Sequence, residues 1–175
     1  IQDLNSDPIT ILLGPRQVGK TFLLKEIKKE ADRQGRSTSY FNLEIPHDLE
    51  KFSQGDKAIF ELLTSSGDVV FIDEFHYIEN ISHIFKAVYD SDHDVKIFAS
   101  GSSSMEIHKH LKESMAGRRQ IRQIFPLSLK EFEQLPIDMN SHLITGGLPG
   151  LLKFSSTDEK QEHLAGILET YLQKD

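Results

Sequence analysis

The chain contains no cysteine. Disulfides and thiolate metal centres are thereby excluded, and a reducing cytoplasm is the expected setting. No apolar run approaches the ~20 residues that a membrane-spanning helix requires. No secretory leader is visible at the start, so no membrane partner is expected. Basic residues are in deficit: 20 Lys and Arg stand against 27 Asp and Glu, a net charge of −7. That balance argues against a globally basic nucleic-acid binder, though not against a local basic patch. The eight histidines do not cluster. His108 and His110 are two apart, so on a helix they point to different sides, and no zinc site is expected. Internal repeats and low-complexity segments are also missing.

What is present is ordinary for a globular protein: 38% hydrophobic and 27% charged residues in a chain of 175. That length suits one domain with a real core. The expected domain is therefore 1–175, with residues 126–175 a helical extension of the core. The chain opens on Ile1 and ends at Asp175 just past a strong helical pattern. It reads as a piece of a longer protein.

Strands and helices alternate. Residues 9–13 form a short apolar, β-branched run, 68–73 a continuous apolar run that ends in a carboxylate, and 95–100 read as the next strand. Residues 37–42 read as a further strand and 120–125 as the last. Helices are expected over Lys20–Gln34, Asp48–Phe52, Asp56–Leu63 and from Ser104 to Met115. Ile81, Ile84, Phe85, Val88 and Tyr89 recur with helical period, as do Leu164, Ile167, Leu168, Tyr171 and Leu172. Ser128 and Glu131 form a capping-box pair that opens a short helix to Leu135. Gly146-Gly147-Leu148-Pro149-Gly150 is a breaker cluster. The alternation implies an α/β protein with a parallel sheet covered on both faces, whose ligands bind at the carboxyl ends of the strands.

The loop between the first strand and first helix is Gly14-Pro15-Arg16-Gln17-Val18-Gly19-Lys20-Thr21, followed by Phe22. It fits G-x-x-x-x-G-K-[ST], and a strand before it with a helix after it is the context that motif requires. Gly14 and Gly19 let backbone N–H groups approach phosphate oxygens. The helix N-terminus adds unpaired N–H groups and the positive end of its dipole. Lys20 is placed to reach the β- and γ-phosphates, and the Thr21 hydroxyl to ligate Mg²⁺.

Val69-Val70-Phe71-Ile72-Asp73-Glu74 is an apolar strand that ends in two acids. Asp73 is expected in the Mg²⁺ shell opposite Thr21. Glu74 has the chemistry of a general base that polarises an attacking water, an effect worth about 10² to 10⁴ in rate. An adjacent acid of that kind favours hydrolysis over a small-molecule kinase. Ser102, with Ser100 in reserve, is the candidate contact to the γ-phosphate or the water. Arg118 and Arg119 are candidates for an arginine delivered to the γ-phosphate, from the same chain or a neighbour.

These blocks resemble the archaeal and bacterial AAA-type ATPases. The likeness rests on residues 14–21, Phe71-Ile72-Asp73-Glu74, Ser100-Gly101-Ser102-Ser103 and Ala116-Gly117-Arg118-Arg119. Pro126-Leu127-Ser128-Leu129-Lys130-Glu131-Phe132 and Gly146-Gly147-Leu148-Pro149 add to it. Proteins of this group usually carry a further C-terminal domain of unknown function. The resemblance implies a three-layer P-loop core with strand order 5-1-4-3-2, Glu74 as the catalytic glutamate, and Arg118 or Arg119 near the γ-phosphate. Phe75-His76 departs from the Ile-Gln expected after the acid pair, which leaves the use of His76 open.

The function expected is Mg²⁺-dependent binding and hydrolysis of ATP that resets a conformational or partner-binding state. Adenine follows from the family likeness; no guanine-reading N-K-x-D motif occurs. The alternatives are a nucleotide-gated binding module without hydrolysis and a DNA-associated motor or loader. Expected partners are ATP and a second copy or another protein. Nucleic acid is a possible partner through a C-terminal part beyond residue 175.

Overall fold

The computed structural model describes residues 2–7, 9–102, 115–135 and 139–172. Ser103 and the helix expected from Ser104, with His108 and His110, lie outside them. The chain divides into two compact units, residues 1–15 with 20–124 and residues 16–19 with 125–175.

The first unit is built on five parallel strands: β1 (Ile9–Gly14), β2 (Thr38–Asn42), β3 (Val69–Asp73), β4 (Lys96–Ser102) and β5 (Arg119–Gln123). They lie in the order β2-β3-β4-β1-β5, which is 5-1-4-3-2 read from the other edge. Side chains alternate across such a sheet, and each face has its own core. Ile9, Ile11 and Leu13 of β1, Val70 and Ile72 of β3, and Ile97 and Ala99 of β4 bury one face. Against it pack α3 (Asp56–Ser65) through Ile59 and Leu63, and α4 (Ile81–Tyr89) through Ile84, Phe85 and Val88. Leu12, Val69, Phe71 and Phe98 face the other way, under Leu24 and Ala31 of α1 (Lys20–Arg33). Both faces are covered, which is why β1 and β3 read as unbroken apolar runs.

Several boundaries differ from the sequence reading, and two of the differences have a plain physical reason. Helix α2 (Pro46–Lys51) starts two residues before Asp48, with Pro46 in its first turn. The fixed φ of proline suits that position, where its missing N–H costs nothing. Strand β4 runs on past Ser100 through Gly101 to Ser102. A Cβ at Gly101 would stand 2.8 Å from the Phe75 ring, so glycine lets the strand continue beside that buried side chain.

The second unit holds α5 (Leu129–Phe132), α6 (Met139–Thr145), a 3₁₀ turn at Pro149–Lys153 and α7 (Thr157–Leu172). Both arms of the Ser128–Glu131 capping box form. Gly147 explains the double glycine. Its carbonyl accepts from Leu127 N at 2.7 Å, and a Cβ there would lie 2.3 Å from Leu127 O. Gly146 ends α6 with φ +76° and returns its N–H to His142 O. The apolar stripe on α7 is less buried than its period implies: Leu164 and Ile167 are half-buried and Leu168 is exposed. Among the described residues no helix is long and apolar enough to cross a membrane.

Candidate functional site

The loop after β1 has the backbone of an anion cradle. Gln17 (φ +64°) and Gly19 (φ +94°) are left-handed. Such residues, alternating with right-handed ones, turn successive N–H groups into one concavity. For Gln17 the conformation costs about 1–2 kcal/mol, and strain of that kind gathers where a loop has a ligand to hold. Lys20 opens α1 and is almost fully buried. Its ammonium donates to Gly14 O at 3.0 Å and Pro15 O at 2.8 Å. A buried cation satisfied by the carbonyls of its own loop stands where a phosphate oxygen would suit it. Thr21 follows it on the helix, half-buried, and the Phe22 ring is exposed.

Strand register brings the next groups to the same edge. Gly14 pairs with Ser102 and Leu12 with Ser100, while Ile72 of β3 pairs with Ala99. With strands about 4.8 Å apart, the ends of β1 and β3 lie about 10 Å from one another across β4. Alternation puts Asp73 and Ser100 on the α1 face of the sheet, with Phe71 and Phe98. Asp73 is 1% exposed. Its Oδ1 accepts a short hydrogen bond from Ser100 Oγ, and its Oδ2 accepts one from the Tyr40 hydroxyl at 2.8 Å. Ser100 Oγ also receives Glu74 N, at 3.4 Å. Ser100 is thus engaged with the acid pair, and Ser102, half-exposed beside Gly14, is the serine at the loop.

Glu74 breaks the strand by turning left-handed, at φ +57° and ψ +47°. Phe75 then tucks into the core, and the Glu74 side chain swings to His76. His76 Nδ1 lies 3.1 Å from Glu74 Oε2. The approach is off the hydrogen-bond direction, and that buried nitrogen has no hydrogen-bond partner among the described residues. His76 also packs on the Tyr77 ring. The residue left open by the sequence is therefore the immediate neighbour of the second acid.

Arg118 and Arg119 are not brought to this edge. Arg118 O accepts from Ile9 N, and Arg119 pairs with Ile9. Both therefore stand where β1 begins, five residues or about 16 Å along the strand from Gly14. That is further than an arginine side chain reaches. The Arg118 guanidinium is held by Asp90 at 2.6 Å.

Tyr40 was invisible to sequence reading. The register Tyr40↔Phe71 and Asn42↔Asp73 places it one pair below the acid on the same face, a diagonal neighbour within reach of a long side chain. Burial first, and then the bond to Asp73, push its phenol above the ordinary tyrosine range.

The donor set fits a nucleotide with Mg²⁺. A carboxylate and a hydroxyl are hard oxygen ligands of the kind Mg²⁺ takes alongside substrate phosphates, and the loop supplies the amides and the cation. An AAA domain family model matches residues 6–133, most of the chain. The chain belongs to the AAA domain family. Relatives include an uncharacterized protein of Mycobacterium tuberculosis, 25% identical over 173 residues. Another is an uncharacterized protein of Methanocaldococcus jannaschii, 24% identical over 188. The alignments take in 98% and 95% of this chain but only 37% and 41% of those proteins. Among solved structures, the fold is similar to AMPPCP-bound DnaA from Aquifex aeolicus. That match has a TM-score of 0.52 and 14% identity, covering 95% of this chain and 56% of that one. It is also similar to the replication initiator DnaA bound to AMPPCP and single-stranded DNA, at TM-score 0.55 and 17% identity, covering 98% and 60%.

Proposed function

We propose that this AAA domain binds ATP with Mg²⁺ at the carboxyl edge of its sheet and hydrolyses it, using nucleotide state to switch a partner-binding conformation. One observation carries the reading: a buried lysine that opens α1 and is held by the Gly14 and Pro15 carbonyls, and a buried, doubly hydrogen-bonded aspartate that ends β3, belong to the same carboxyl edge of one sheet. The presence of AMPPCP in DnaA proteins of similar fold agrees with it.

The loop after β1, through its non-proline amides, and Lys20 would take the phosphates, and Thr21 and Asp73 would hold the metal. A bound divalent cation would supply charge neutralisation at the phosphates. Glu74 orients and deprotonates the attacking water, with Ser102 near the γ-phosphate. Arg118 and Arg119 stand at the far edge, so an arginine acts in trans, from a second copy docked over the nucleotide. The test is ATP binding and phosphate release by the wild type and Glu74→Gln. Binding by both with turnover only in the wild type supports the reading; full turnover by Glu74→Gln overturns the role of Glu74.

A further inference from the structure

We propose that Tyr40 is a positioning residue for the divalent cation: its phenol fixes the orientation of the Asp73 carboxylate. The proposal rests on the nucleotide-site reading and deepens it. Asp73 is nearly without solvent exposure, so protein donors rather than water must set its rotation. Among the described residues one donor stands on each oxygen, Ser100 on Oδ1 and Tyr40 on Oδ2. An ionised carboxylate has about four lone-pair sites. The two donors settle its plane and leave capacity on both oxygens for a cation or its water ligands.

Tyr40 is itself held. Its ring packs against the core under α1, and the Lys25 ammonium lies 5.9 Å from the ring centroid. Removing only the hydroxyl keeps the packing and frees Oδ2, letting the carboxylate turn about its bond to Ser100. Partners that orient metal ligands in this way are typically worth about 10- to 100-fold in metal affinity.

The experiment compares wild type and Tyr40→Phe in ADP binding, first in EDTA and then across a Mg²⁺ titration. The chain has no tryptophan and four tyrosines, so tyrosine emission reports the same titration optically. The expected result is equal ADP affinity in EDTA and a Mg²⁺ midpoint raised about tenfold in Tyr40→Phe. A Mg²⁺-dependent emission change should be present in the wild type and lost in the variant. A wild type that binds Mg²⁺ and ADP with an emission unmoved by the metal overturns the proposal, whether or not the variant folds. So does a variant with the wild-type midpoint. A wild type that binds no ADP instead removes the nucleotide site itself, so the two failures are told apart.

Discussion

Lys96 opens β4 at the sheet edge away from the loop, and it ties the N-terminal segment down. Its ammonium donates to Ser6 O at 2.9 Å and to Thr10 Oγ1 at 3.0 Å, and it lies 5.0 Å from the Phe98 ring centroid. Burial lowers it from 10.5 to about 8, against the opposing pull of Asp3 and Asp7. A lysine depressed in the folded state makes the unfolded chain the better proton binder between those values. Its contribution to stability therefore rises as pH increases from about 8 towards 10.5, and is flat below that window. The difference in denaturation midpoint between wild type and Lys96→Met is expected to grow across that window and to stay constant below it. A constant difference throughout would mean that Lys96 keeps its ordinary proton affinity. None of this was legible in the sequence, where Lys96 is one lysine in an apolar strand. Tyr40 was hidden for the same reason: its partner is set by the pairing of β2 with β3, and periodicity does not name the neighbouring strand. The places of Lys20 and Asp73 in the fold were legible because they follow from positions along the chain, at the start of a helix and the end of a strand.

At the level of elements, local signals did well wherever a hydrogen-bonding residue type is required. The box at Ser128 and Glu131 was readable from spacing. A second pair, Ser156 and Glu159, opens α7 in the same way, with Glu159 N on Ser156 Oγ at 3.2 Å and Ser156 N on Glu159 Oε2 at 3.1 Å. The same rule would have found the start of that helix. The breaker cluster at 146–150 was readable as a break, but not as a contact. Its reason is the backbone of Leu127, which leaves no room for a side chain on Gly147. Gly147→Ala is expected to destabilise the second unit by about 1–3 kcal/mol, the usual cost of forcing extra volume into a packed site. Gly146→Ala acts differently, through its positive φ alone. Thermal or denaturant unfolding checks both, and a Gly147→Ala protein as stable as wild type would mean that this backbone contact does not form.

For the whole molecule, the parallel order and both covered faces followed from the alternation of strands and helices, and the observed sheet agrees with the order that the family likeness implied. Sequence left open whether an arginine acts within the chain, since spacing along the chain does not say at which sheet edge a strand begins. With Arg118 and Arg119 at the start of β5, the proposed arginine belongs to a neighbouring copy. A variant carrying Arg118→Ala and Arg119→Ala is expected to lose about 10³ in turnover. Mixing it with an equal amount of Lys20→Ala should restore about a quarter of wild-type activity, the share of sites that random pairing assembles from two intact halves. No recovery, with turnover independent of protein concentration, would argue against a shared site. The most direct measurement on the central claim is steady-state phosphate release by Glu74→Gln, beside its equilibrium ATP affinity. Wild-type affinity is expected, with turnover reduced by about 10² or more. Turnover at the wild-type rate, or no ATP binding by either protein, would contradict it.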